Sequence, residues 1–179
     1  MKKTLLVMSD IHGSVANLRA ALTWAGSFAP DAAVFLGDGI SELERTRATM
    51  GFPYPWHMVR GNNDFDPLQP EAAVFEFGGH RFFICHGHHY SIYSGKDVLV
   101  AAARNNQAGA ALFGHTHIPF VDDADGVLLV NPGSIGNPRS RVGPSFAVIE
   151  CRPGSPPKPE FWGIGFDGRV SAIFVGNSL

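Results

Sequence analysis

The sequence predicts an α/β fold, and three observations carry that expectation. Short apolar runs without polar interruption recur along the chain, the mark of strands buried on both faces. Early in the chain these runs alternate with stretches at helical spacing, the strand-helix-strand order that builds a parallel sheet with right-handed crossovers. Past residue 70 the apolar runs are joined instead by Gly-Gly or Asp-Gly, which reads as hairpins. The run Val34-Phe35-Leu36-Gly37-Asp38-Gly39 shows the pattern most sharply. It delivers a carboxylate to the point where a buried strand ends and the chain turns, the usual place for a ligand site in an open α/β sheet.

Taken in order, Thr4 to Met8 is the first strand, followed by the loop Ser9-Asp10-Ile11-His12-Gly13. Ser14 is placed to cap a helix. Val15, Leu18, Leu22 and Ala25 then fall on one helical face, and Gly26 ends it. Ala32 to Leu36 is the second strand. Ser41-Glu42-Leu43-Glu44 fits a capping box that opens a helix stopping near Gly51. Trp56 to Val59 is the third strand and runs into Arg60-Gly61-Asn62-Asn63-Asp64. Ala73 to Phe77 and Arg81 to Cys85 form a hairpin about Gly78-Gly79, and its second strand ends in His86-Gly87-His88-His89. A helix with Ser94 as cap covers Lys96 to Asn105. Ala110 to Phe113 is a strand ending in Gly114-His115-Thr116-His117. Val127 to Val130 and Phe146 to Glu150 are further strands. Arg152 to Pro159, rich in Pro and Gly, reads as a surface loop. Phe161 to Phe166 and Val170 to Val175 close the chain as a hairpin about Asp167-Gly168.

At 179 residues the chain is expected to form one domain, 1–179. A domain of that size buries roughly 70% of its unfolded surface and needs no disulfide or metal merely to fold. The formal net charge of −2, with no Lys/Arg run, argues against broad nucleic-acid or anionic-membrane binding. Cys85 and Cys151 lie in apolar runs outside any Cys-x-x-Cys pair, so both are expected as reduced, buried thiols. No apolar stretch approaches transmembrane length, and the five residues after Met-Lys-Lys are too few for a secretory signal, so a cytoplasmic protein is expected. Fourteen Phe residues suggest aromatic packing between layers, and the Phe-rich hairpins suit a sandwich interior and a homodimer face equally.

The candidate chemistry lies in the loops after the strands. Asp10-x-His12 and His115-x-His117 each place two side chains on one side of an extended segment. A single such pair is a weak signal, and Asn62 or His86 alone would pass for a turn residue or a hydrogen-bonded histidine. Together these loops supply two Asp, one Asn and four His. That mixture of hard oxygen and imidazole suits Mn, Fe, Zn or Ni better than Ca or Mg alone. An Asp shared by two cations would hold them about 3.5–4 Å apart, the spacing of hydrolytic two-metal sites.

The order Asp10-x-His12, Gly37-Asp38, Gly61-Asn62-Asn63-Asp64, His86, Gly114-His115-Thr116-His117 closely resembles the calcineurin-like metallophosphoesterases. The short chain, without a cap domain, looks like their small YfcE-like phosphodiesterase group. The resemblance implies a four-layer α-β-β-α sandwich of two mixed β-sheets flanked by helices. It implies two divalent cations, with Mn first and Fe, Zn, Ni or Mg as alternatives. Asp10, His12, Asp38 and His117 would hold one ion, and Asp38, Asn62, His86 and His115 the other. Asp38 would be the bridge, and a hydroxide between the ions would attack phosphorus in line.

One position departs from the family pattern. Many members carry His where this chain has Asn63, and Asn has no proton to give near neutral pH. General acid catalysis is worth about 10²–10⁴-fold, so esters with acidic leaving groups should be favoured. Asn63 is then expected to contact the substrate phosphate, with His88 as the candidate substitute acid. Asp64 is expected to orient its loop, and also to fix the Asn62 amide. Arg139, in Asn131-Pro132-Gly133-Ser134-Ile135-Gly136-Asn137-Pro138-Arg139, is a candidate phosphate clamp. Trp56 and Tyr90 suit either packing or stacking on a nucleobase. The expected partner is a small phosphate ester, with a nucleotide-like one among the candidates. Two other functions fit the same resemblance: a phosphomonoesterase, and a binding scaffold such as the retromer sorting subunit.

Overall fold

The computed structural model describes residues 1–176, so the last three positions of the expected 1–179 domain lie outside the described residues. Two β-sheets lie face to face. The first contains β1 (Lys3–Met8), β2 (Ala32–Phe35), β3 (Trp56–Met58), β9 (Ser145–Arg152), β10 (Ser155–Ile164) and β11 (Val170–Ile173), in the order β11-β10-β9-β1-β2-β3. The second contains β4 (Ala72–Phe77), β5 (His80–Cys85), β6 (Ala110–Phe113), β7 (Pro119–Ala124) and β8 (Val127–Pro132), in the order β4-β5-β6-β8-β7. β1, β2 and β3 run parallel, as do β5, β6 and β8. Both sheets are mixed, because the remaining pairings are antiparallel.

Side-chain alternation along each strand builds the layers. Leu5 and Val7 of β1 point between the sheets, where they meet Val34, Phe82, Ile84, Leu112 and Ile149. Leu6 and Met8 point outward and meet Leu18, Leu22 and Leu43, from α1 (Val15–Gly26) and α2 (Ile40–Met50). On the other sheet Phe83, Cys85 and Phe113 meet Leu99, Val100 and Ala103 of α3 (Asp97–Asn105). The result is the α-β-β-α sandwich, held by three apolar layers, and each fully buried Phe or Leu in them contributes about 1.5–3 kcal/mol. Trp56 packs against Phe52, and Tyr90 against Phe83, so both are packing residues.

Cys85 and Cys151 are fully buried and unpaired with each other. Burial pushes both thiols up, Cys151 to about 12. A thiol-reactive dye at pH 8 is therefore expected to modify neither in the native protein and both after denaturation. Rapid labelling of the folded chain would contradict this placement.

Several boundaries differ from expectation, each for a physical reason. α2 starts at Ile40 with Gly39 at its N-cap, not at a box built on Ser41, because the distant Asp64 supplies the cap. α3 starts at Asp97, with Lys96 rather than Ser94 before it. The stretch taken for a surface loop at Arg152 to Pro159 is largely the first half of β10. β11 pairs only with Phe161–Ile164, so the Pro-rich half is a sheet edge where a missing N–H costs no ladder bond. β7 is an additional edge strand, paired on one side with β8.

Candidate metal centre

The seven residues singled out in sequence leave the carboxyl ends of five parallel strands, three from one sheet and two from the other. Asp10 and His12 follow β1, Asp38 follows β2, Asn62 follows β3, His86 follows β5, and His115 and His117 follow β6. Five of the seven have left-handed backbone: Asp10 (φ 57), His12 (φ 43), Asp38 (φ 61), His115 (φ 66) and His117 (φ 61). Such a conformation costs roughly 1–3 kcal/mol per non-Gly residue and persists only where surrounding bonds dictate it. Here they do. The Asp10 N–H donates to the Gly37 carbonyl (2.9 Å), Ile11 N–H to Asp38 (2.8 Å), Gly136 N–H to Asp10 (3.0 Å) and Gly114 N–H to His86 (2.9 Å).

These loops bring the side chains together. Asp10 Oδ1 lies 3.1 Å from His117 Nε2, 3.6 Å from His12 Nε2 and 3.9 Å from His86 Nε2. Asp38 Oδ2 lies 3.6 Å from His12 Nε2 and 3.5 Å from His86 Nε2. Asn62 Oδ1 is 3.1 Å from His86 Nε2. The His115 ring stands edge-on to His86, with centroids 5.0 Å apart. Two overlapping groups could each hold an ion, Asp10-His12-His117 and Asp10-Asp38-His86, with the donor atoms of each group within 4.8 Å of one another. Asp10 is the carboxylate common to both groups, and Asp38 Oδ2 approaches His12 and His86, whereas sequence reasoning singled out Asp38 alone as shared.

The hydrogen bonds behind the rings say what belongs in the middle. His86 Nδ1 faces the Leu36 carbonyl (2.7 Å), and His117 Nδ1 faces the Asn137 carbonyl (2.6 Å). A carbonyl only accepts, so in each neutral ring Nδ1 carries the proton and Nε2 offers a lone pair. Those lone pairs converge on carboxylate oxygens, and Asp10 Oδ1, fully buried, has no hydrogen-bond partner. Lone pairs facing lone pairs in a buried site require a cation or protons between them. The donor set therefore fits divalent metal.

The local charges agree. Burial disfavours an ionised Asp10, yet the imidazoles of His117, His12 and His86 around it hold its carboxyl below the usual range. The Asp10 carboxylate beside it raises the pKa of His12. Burial, reinforced by the charge of His86, pushes His115 down to about 4, so it is a neutral donor at pH 7.

Around these seven, the Asn63 N–H and amide donate to Asp38 Oδ1 (2.8 Å) and Oδ2 (2.6 Å). The Asn63 side chain thus steadies Asp38 while lining the adjoining cavity. Asp64 accepts four backbone N–H groups, from Asp38 (2.7 Å), Gly39 (2.9 Å), Ile40 (3.0 Å) and Gly61 (2.9 Å). It orients the loops as expected, through backbone rather than through the Asn62 amide. Gly61 and Gly114 are forced by close approach: a Cβ on the first would strike the Asp38 carboxylate, and on the second the Ser9 hydroxyl and the Asp10 carboxylate. His88 stacks obliquely with His86 and His89, and burial first, then those two neighbours, lowers its pKa. Arg139 Nη1 donates to the Tyr93 hydroxyl (2.9 Å), which donates to the His115 carbonyl (3.1 Å). Sequence reasoning gave no role to Tyr93, nor to Asn131 at the head of the Arg139 segment, whose amide donates to the Gly114 carbonyl (2.8 Å) and the Thr116 hydroxyl (3.0 Å). No motif spacing marks either one; both act on the histidine loop across distant sequence.

A two-sheet sandwich that gathers Asp, Asn and His donors at the ends of its parallel strands is the architecture of a metallophosphoesterase. The family model for the calcineurin-like phosphoesterase superfamily domain matches residues 4–154, and the chain belongs to that superfamily. It is 31% identical over 147 residues to the probable metallophosphoesterase YsnB of Bacillus subtilis, covering 81% of this chain and 82% of that protein. It is 26% identical over 166 residues to the phosphodiesterase YfcE of Escherichia coli K12, covering 82% and 86%. The crystal structure of Vps29 from Entamoeba histolytica in complex with zinc shares the fold, with a TM-score of 0.79 at 22% identity over 95% of this chain and 97% of that one.

Proposed function

We propose that this phosphoesterase-family protein is a dinuclear metal-dependent phosphodiesterase. The observation that supports it above all is the donor set: Asp10, His12, Asp38, His86 and His117 form two overlapping groups, with Asn62 and His115 beside His86 and with His86 and His117 oriented to ligate through Nε2. Asp10, His12, Asp38 and His117 would hold one ion and Asp38, Asn62, His86 and His115 the other, with Mn²⁺ the first candidate. Bound there, the cations lower the pKa of water toward neutrality and neutralise phosphoryl oxygens. The chain's own groups do the rest. Asn63 fixes both Asp38 oxygens, and Arg139, braced by Tyr93, offers a guanidinium to the phosphate.

The proton supply favours esters with acidic leaving groups, and the diester choice is supported by the phosphodiesterase relatives. Asn63 stands where a proton donor would be needed, and His88 is kept largely neutral near pH 7. An ester with a basic alkoxide leaving group gets little help, whereas one with an acidic leaving group needs little. The name of YfcE supports the same choice.

The test is hydrolysis of bis(4-nitrophenyl) phosphate against 4-nitrophenyl phosphate, with Mn²⁺ and then with excess chelator. Turnover of the diester at tenfold or more the monoester's rate, abolished by chelator, is the expected result. The reverse ranking favours a phosphomonoesterase. The Vps29-like fold makes a scaffold the competing reading, and it predicts no turnover with any metal.

A further inference from the structure

Beside the donor cluster lies a cavity of about 360 Å³. One wall is the centre itself, with His12, Asp38 and Asn63. The cavity is also lined by Glu42, from the first turn of α2, and by Phe65 and Asp66, from the loop after β3. The carboxylates around the cavity are not all spent in the same way. Asp64 is committed to its four backbone N–H groups, and Asp38 belongs to the centre. Asp66 accepts one N–H, that of Leu68 (2.9 Å), and Glu42 makes no hydrogen bond or ion pair among the described residues. No Lys or Arg lines the cavity among the described residues. Phe65, at its edge, is 93% exposed, an aromatic face that packs on nothing. The cation of the site lies elsewhere, at Arg139, whose N–H is bonded to the His117 carbonyl (3.1 Å).

Two carboxylates beside an open aromatic face are the recognition elements of an ammonium group. The same carboxylates repel added anionic groups on a substrate. We propose that this cavity selects phosphodiesters in which one ester group carries an ammonium, and disfavours esters bearing further phosphates. Glu42, Asp66 and Phe65 are the specificity-determining residues. The inference rests on the phosphodiesterase reading above and adds the substrate class to it.

A pair of isosteric substrates tests it. 4-Nitrophenyl phosphorylcholine and 4-nitrophenyl 3,3-dimethylbutyl phosphate share a leaving group and differ only in a quaternary nitrogen replaced by carbon. In each, the oxygen of one water joins phosphorus, the P–O bond to the aryl group breaks, 4-nitrophenolate leaves with the electron pair, and a proton goes to solvent. With Mn²⁺, the wild-type kcat/KM ratio of choline ester to neutral ester is expected to be about fivefold or more. In the double variant Glu42→Gln, Asp66→Asn the ratio falls to about one, and Phe65→Ala lowers it in part. Should the double variant melt early, Glu42→Gln alone carries the reading, with a smaller fall in the same ratio. A wild-type ratio near one, with both esters hydrolysed, overturns the ammonium preference and leaves the phosphodiesterase intact. A high ratio that survives these substitutions overturns the assignment to these residues. No turnover of either ester or of bis(4-nitrophenyl) phosphate overturns both readings.

Discussion

Asp38→Asn is expected to lower kcat/KM on an activated aryl diester by about 10³-fold, a loss of about 4 kcal/mol of transition-state stabilisation. The substitution keeps the shape of the side chain and removes the charge that lies between His12 and His86. A donor shared by two cations supports both of their roles, so its loss should reach several kcal/mol. The fold should survive. Burying a charge is costly, and the substitution removes one of two carboxylates from the same buried site. Against that stands the lost bond from the Asn63 amide to Asp38 Oδ2, worth about 1.5–3 kcal/mol for a charged acceptor. These offset, so the melting temperature in chelator should change little while activity collapses. Near wild-type turnover of the variant would remove Asp38 from the centre.

The largest effect on stability is expected at Asp64, which belongs to no donor group. Asp64→Ala strips the acceptor from four backbone N–H groups at once, two of them at the start of α2. A lost helix cap costs about 1 kcal/mol and each unsatisfied donor about 1–3 kcal/mol, partly recovered where water enters from the cavity. A net loss of about 3 kcal/mol would lower the melting temperature by roughly 6–12 °C for a chain of this size. Calorimetry of the metal-free protein reads this directly. A shift under 2 °C would mean that the loop holds its shape without the carboxylate.

Legibility in sequence tracked the range over which each signal acts. The buried strands β1 and β2 announce themselves in consecutive apolar residues, and the donor loops in Gly next to Asp or His, because both depend on neighbours in the chain. The Asp64 cap of α2 does not, since donor and acceptor are 24 residues or more apart. A local rule therefore placed the helix start at Ser41 instead. β7 and the first half of β10 escaped for another reason. They are edges, and edges carry Pro119, Asp122, Asp123, Pro157 and Pro159, the residues that discourage further pairing and that also read as loop. The candidate site was legible residue by residue, but not its supports: Tyr93, Asn131 and the carbonyls of Leu36 and Asn137 have no spacing to betray them.

The left-handed turns at Asp10, His12, Asp38, His115 and His117 have one more consequence. Asp, Asn and His tolerate that region of backbone space better than other side chains with a Cβ, and they are also the side chains that grip hard and borderline cations. Each of these positions thus answers two demands with one choice of residue. A β-branched replacement would fail twice, once as a donor and once as a bend. The neighbourhood of the ions can drift in evolution only along the narrow set of amino acids satisfying both.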